Sequence, residues 1–286
     1  MKFARHAWIL VKDTAEGFIA DDALSRGVSI AYYTLFALAP VLLVVIAIAG
    51  LVFGHEAAQG AVVRELAGLM GSKTAEELQE MIESAARPRE GALASAIAIV
   101  VLVIAISGVF GEVQSAMNAI WKARPPIRST LSRLVRARIA SLGLVVTAGF
   151  LLTVSLAMSA GLAAISDYLR IVFPAAQIIL NIADVAVSGA LIAGLFAAMY
   201  KVLPDASITW RDVAVGAGVT MLLFEGGKYT IALYVGQSNV ASSYGAAGAL
   251  IVLLVWIYYS AQIFLLGAEF TRSYSRRFGS RAARPA

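Results

Sequence analysis

Apolar residues in this chain come in six long runs, each bounded by polar or basic residues, instead of the short alternations of a soluble core. The charge-free window from Gly27 to Gly54 exceeds the roughly 20 apolar residues that cross the hydrocarbon core of a bilayer. The pattern predicts an all-α polytopic membrane protein with six transmembrane helices, near residues 28–53, 91–117, 139–165, 174–200, 212–235 and 244–270. Ahead of the first run, Phe3, Ala7, Leu10, Val11 and Phe18 recur at roughly helical spacing among charges. That spacing predicts an N-terminal interfacial helix within 1–27; a helix packed on cytoplasmic loops fits it equally. Ala7 to Val11 is too short an apolar stretch for a signal-peptide core, so no cleavage is expected.

Between the first two runs, Val62, Val63, Leu66, Leu69 and Met70 and then Leu78, Met81, Ile82 and Ala85 give two amphipathic periods broken at Gly71-Ser72. They predict an external helical hairpin over 55–90, acidic because seven glutamates face four basic residues there. A plain solvated face accounts for those charges as well. The domain plan is thus an interfacial helix (1–27), a membrane domain (28–270) and a basic tail (271–286), with a basic loop at 118–138. The third run is rich in small residues such as Gly143, Thr147, Gly149 and Thr153, which suits a close helix-packing seam better than a pore lining. Six spans divided three and three would give inverted halves, a common transporter plan, but no internal repeat is visible.

Composition sharpens this picture. Hydrophobic residues make up 60% of the 286 and charged residues 14%, so burial must be against lipid as well as protein. The net charge of +5 belongs to short segments beside apolar runs, where anionic lipid headgroups are nearer partners than nucleic acid. Of the 23 lysines and arginines, 17 fall in the N-terminal segment, alternate loops and tail, which places both termini in the cytoplasm by the positive-inside rule. The chain has no cysteine, so thiolate metal sites and disulfides are excluded.

Ionisable groups inside apolar runs are costly and mark a pathway or a compensating pair. Asp184 lies within the fourth run with Asn181 on the same helical face, and Glu225 and Lys228 lie at comparable depth in the fifth. Glu225 and Lys228 could equally neutralise each other and only lock helices together. A second polar layer is expected near the cytoplasmic boundary, from Glu112, Gln114 and Asn118 ending the second span and Gln262 and Glu269 ending the sixth. Tyr259, Gln262, Leu266 and Glu269 share one helix face. Glu269 also suits a surface pair with Arg272, and Tyr32 and Tyr33 suit an aromatic belt as well as a pathway. Pro40, Gly226 and Gly227 are candidate hinges.

Several separated motifs resemble the YihY/BrkB family of inner-membrane proteins: Ala31 to Pro40 (AYYTLFALAP), Asn118 to Trp121 (NAIW), Leu203-Pro204-Asp205, Trp210 to Val213 (WRDV), Tyr244 to Gly248 (YGAAG), Trp256 to Ser260 (WIYYS) and Gly267-Ala268-Glu269. Phe224 to Lys228 is similar to that family's fifth-span pattern, although the family more usually has a larger residue before the second glycine. The resemblance covers nearly the whole chain. It implies a bacterial inner-membrane location and carries three functional associations: a ribonuclease acting on tRNA, a virulence factor for serum resistance, and movement of lipids or other amphiphiles.

A zinc nuclease needs convergent ligands around an activated water. The two histidines, His6 and His55, are expected on opposite sides of the membrane, so nuclease activity is not expected. No G-x-x-x-x-G-K-[ST] phosphate cradle occurs, which leaves a gradient, a partner or mass action as the driving force. The expectation is a non-enzymatic, cofactor-free transporter or flippase-like protein for an anionic, lipid-linked amphiphile, with proton coupling one route for its energy. The alternative is a membrane scaffold or envelope-integrity factor. Membrane lipids are the expected partners, a homo-oligomer and an envelope protein partner are left open, and nucleic acid is not expected.

Overall fold

In the computed structural model, residues 2–70, 72–86, 92–123, 143, 146–147, 149–151, 153–154, 176–237 and 246–281 are described, and no strand occurs among them. Eight helices order them: α1 (Lys2–Ala20), α2 (Ala23–Phe53), α3 (His55–Met70), α4 (Ser72–Ala86), α5 (Ala92–Ile120), α6 (Ala176–Val202), α7 (Trp210–Gln237) and α8 (Ala246–Arg277). Helical residues also occur between 143 and 154. Most of the third predicted span, 139–165, lies outside the described residues, as do most of the 118–138 loop and the end of the tail.

Four segments are long and apolar enough to cross a membrane: Ala23–Phe53, Val103–Ile120, Val185–Val202 and Leu250–Arg277. They fall in the first, second, fourth and sixth predicted spans. Helix α7 covers the fifth but is not among them, because Glu225, Gly226, Gly227 and Lys228 interrupt its apolar length. Helix α2, 31 residues long, continues through Pro40 and reaches about 46 Å at 1.5 Å per residue, more than the ~30 Å hydrocarbon core. It stops at Gly54, whose φ of 85° is open to glycine, with the Gly54 amide bonded to the Gly50 carbonyl. Helix α8 runs seven residues past the predicted boundary at 270, so its last two turns carry Arg272, Arg276 and Arg277 beyond the apolar run.

Helix α8 is the central post, packed against α1, α2 and α7; α2 also packs against α5, and α6 against α7. Helices α3 and α4 lie against each other and against α2. The largest buried cluster sits where α5 and α6 end, with Met117, Ile120, Tyr200, Leu203 and Leu265 at its centre. Helix α1 packs on the bundle by one face only. Phe18 packs on this cluster and Thr14 is buried, whereas Trp8, Val11 and Ile19 are exposed. The helix turns this way because Gly17, one position from Phe18, lets α1 approach α8 closely.

Candidate functional site

The chain breaks between α1 and α2 at two aspartates. Asp21 closes the α1 turn through its amide to the Gly17 carbonyl (2.9 Å), and Asp22 takes a left-handed φ of 56°, which a short polar side chain tolerates. This turn directs the Asp21 carboxylate inward, where only 3% of the side chain is exposed. It is met there by Lys122 from the end of α5 and by Arg272 Nη1 of α8 at 3.1 Å. Lys122 itself holds a φ of 49°, a left-handed conformation costing about 1–2 kcal/mol for a residue with a Cβ. Glu269, one turn before Arg272 on α8, is 1% exposed and lies 3.5 Å from the same guanidinium through Oε2. Its Oε1 has no hydrogen-bond partner among the described residues.

Two carboxylates and two cations therefore interlock three helices. They line a cavity of about 460 Å³ that extends past Gly17, Glu16 and Ser273 to the exposed Asp13–Arg277 pair. A second cavity, of about 510 Å³, opens from the same Asp21 and Lys122 toward Arg26 and Asn118. Such a site can exchange ion-pair partners, and Lys122 and Arg272 could take an anion in place of Asp21 or Glu269. Among the described residues, no three His, Asp or Glu come together to hold a metal.

The predicted inner polar layer divides into separate contacts. Asn118 clamps Asp205 of the α6–α7 loop from both sides, donating Nδ2 to Oδ2 (2.9 Å) and accepting the Asp205 amide on Oδ1 (2.7 Å). Gln114 adds a longer contact to the same carboxylate at 3.5 Å. Gln262 donates to the Leu24 carbonyl of α2 (3.2 Å), and Glu112 is half-buried outside these bonds. On the shared α8 face, Tyr259 points at Gly227 of α7, Gln262 at Gly27 of α2 and Glu269 at Gly17 of α1.

In the deeper layer, Glu225 and Lys228 pair with each other at 2.8 Å, and their side chains stay 30% and 28% exposed. Asn181 and Asp184 lie on α6, and their side chains fall outside the described ones. Tyr32 and Tyr33 are exposed on α2, with Tyr33 lying over Gly108 of α5. Gly226 has open space around it, whereas Gly227 receives the Tyr259 ring. Sequence reasoning passed over Asp21, Lys122 and Gly17, because nothing in a linear pattern brings the α1–α2 break to the end of α5. The Asp21-Asp22 pair at the edge of the first apolar run was the available signal.

The family model described as virulence factor BrkB matches residues 14–286. A UPF0761 membrane protein of Azotobacter vinelandii is 28% identical over 271 residues, which are 92% of this chain and 63% of the relative. One from Pseudomonas paraeruginosa is 28% identical over 263 residues, 89% of this chain and 60% of the relative. One from Klebsiella pneumoniae is 32% identical over 171 residues, 56% and 53% of the two chains. The chain thus spans about three fifths of the length of the curated relatives it matches along most of its own length. No solved structure matches it.

Proposed function

The chain belongs to the virulence factor BrkB family of membrane proteins, and from that premise we propose that it is a flippase-like transporter of the bacterial inner membrane, moving an anionic, lipid-linked amphiphile. It has six spans, both termini in the cytoplasm and the α3–α4 pair outside. It performs no covalent chemistry and takes no cofactor.

What carries this proposal is Glu269: a carboxylate 1% exposed, with one oxygen unpartnered, beside a cavity of about 460 Å³ lined by both signs of charge. A purely structural ion pair is most stable when every lone pair is satisfied, because desolvating a carboxylate is costly. An unsatisfied carboxylate among exchangeable partners instead suits a group that gains and loses a proton or yields its cation to a passing anion. Lys122 and Arg272 receive the headgroup at the inner mouth, and Asp21 and Glu269 take back the cations once it has moved. Glu225 and Lys228 repeat the exchange deeper in the membrane, where partial exposure leaves them within reach of acyl chains or solvent. Asp184 and Asn181 of α6 belong to the same proposed layer by their depth along the fourth apolar run.

The test is transfer of labelled phospholipid between leaflets of reconstituted liposomes, with and without a pH gradient. Transfer above empty vesicles that falls in Lys228→Ala supports transport; transfer equal to empty vesicles removes it.

A scaffold reading is favoured by one observation, the mutual neutralisation of Glu225 and Lys228 at 2.8 Å. It expects the same liposomes to be silent while the purified chain retains an envelope protein through its acidic α3–α4 pair.

A further inference from the structure

A third cavity lies apart from the Glu269 cluster, between the α6–α7 loop and the turn that follows α8, with a volume of about 490 Å³. We propose that it binds a phosphate group, with an anionic phospholipid of the cytoplasmic leaflet as the source that its surroundings favour.

Both cations of this cavity are held in place by backbone. Lys201, in the last turn of α6, donates to the Ile208 carbonyl, and Arg281 donates through Nη2 to the Ser207 carbonyl at 2.8 Å. Each keeps further N–H groups for another acceptor, since an ammonium carries three donors and a guanidinium five. Two hydroxyls stand between them. Thr209 accepts the Asp212 amide at 3.4 Å and turns its own O–H to the Asp212 carboxylate, whereas Ser207 is exposed on the loop.

Carboxylates that would repel a phosphate are engaged elsewhere. Asp205 is turned onto Asn118 of α5, and Asp212 is taken up by the hydroxyls of Ser275 (2.7 Å) and Ser280 (2.6 Å) and by the Ser280 amide. The cavity therefore presents positive charge and free donors without a carboxylate in its lining.

The surroundings point to a lipid over free phosphate. Trp210 is 63% exposed at the mouth with Lys201 5.6 Å above its ring, and Val202 beside it is 51% exposed. Val185 on α6 and Leu222 on α7 are exposed farther along the same two helices. An indole beside lysine and arginine at the end of two apolar helices is the arrangement that seats a headgroup while acyl chains lie along the helices. The site is independent of transport, because adduct formation and lipid transfer are measured separately.

Native mass spectrometry of the delipidated full chain, with phosphatidylglycerol, diacylglycerol or inorganic phosphate added, reads the site. Phosphatidylglycerol adducts should exceed diacylglycerol adducts by about tenfold or more and fall to the diacylglycerol level in the Lys201→Gln, Arg281→Gln double variant, since each cation near an anionic headgroup contributes on the order of a several-fold change in affinity. Arg64→Gln on α3 should bind as the wild type does. Inorganic phosphate that binds as well as the lipid and displaces it supports the phosphate site but assigns its source to free phosphate. Equal phosphatidylglycerol and diacylglycerol adducts, or binding unchanged in the double variant, overturn the proposal. Because both cations hold the loop, a variant that fails to fold is replaced by quenching of tryptophan emission with trace brominated phosphatidylglycerol in detergent. That quenching should drop in Trp210→Phe, and quenching that does not depend on Trp210 overturns the proposal equally.

Discussion

Gly17 of α1 faces Glu269 of α8 so closely that a Cβ built on the glycine would stand 2.5 Å from Oε2 of the carboxylate. The same relation recurs along α8 and its neighbours. Gly27 receives the Gln262 amide, Gly227 the Tyr259 ring, and Gly216 the Thr271 side chain, whose Cβ lies 2.7 Å from the position a new Cβ would take. Close approach through small residues is how membrane helices gain packing contact where lipid offers no hydrophobic contrast. Here each notch also admits a polar side chain.

Alanine at these notches should therefore separate by what fills them. Gly216→Ala meets a stiff β-branched side chain and should cost about 1–3 kcal/mol, typical of overpacking. Gly226→Ala, with nothing within 4 Å, should be neutral or stabilising by up to ~1 kcal/mol through helix propensity. Thermal melting of both variants in one detergent checks the order, and equal loss in the two would contradict it.

Asp21→Asn should be among the most damaging polar substitutions. It leaves Arg272, 16% exposed, without its nearer carboxylate at 3.1 Å, and breaking one side of a buried pair costs about 3–5 kcal/mol. In a double-mutant cycle with Arg272→Gln, the coupling should reach at least about 0.5 kcal/mol, as expected for residues within one network. Additive losses would mean that the two groups do not depend on each other.

Asn118→Ala removes both contacts to Asp205 and leaves a part-buried carboxylate short of donors, a loss of about 1–3 kcal/mol. Asn118→Asp should be at least as costly, because it sets a second carboxylate against the first. Chemical denaturation followed by tryptophan emission measures both. A tolerated Asn118→Asp would show that the α6–α7 loop is held by other contacts.

Glu225→Gln and Lys228→Met test the deeper pair. Removing either charge leaves the other unpaired at the membrane depth proposed for the pair, at a cost of about 2.5–3.5 kcal/mol, and removing both should cost less. Under the transport proposal, lipid transfer should fall in each single variant and stay low when the two are combined. Recovery of transfer in the double variant would instead mark the pair as a helix lock, as the scaffold reading requires.

The helices were legible in the sequence to within a few residues where apolar residues dominate a run, as at α2 and α6, because span length follows from bilayer thickness. The α8 end was not, since Arg272 and Arg277 lengthen the helix through ion pairs with Asp21 and Asp13 that no hydropathy pattern contains. Glu269 and Asn118 were identified from their place at the ends of apolar runs. The roles of Asp21 and Asp205 were not: Asp21 pairs with Arg272 and Asp205 with Asn118, 251 and 87 positions apart, brought together by the packing of α1 on α8 and of the loop on α5. The glycine notches that set Gln262 of α8 against α2 and Glu269 against α1 depend on how the helices pack, which a linear pattern does not contain.

Transfer of labelled phosphatidylglycerol between leaflets by Glu269→Gln in liposomes, beside the wild type and the exposed-site control Glu56→Gln, addresses the proposed function most directly. The wild type and Glu56→Gln should move lipid faster than empty vesicles and respond to a pH gradient, whereas Glu269→Gln should fold, move lipid at least about tenfold more slowly, and lose the response to pH, the loss expected when a positioned proton-exchanging group is removed. Transfer by Glu269→Gln at the wild-type rate and with the wild-type pH response would contradict the assignment of this carboxylate to transport.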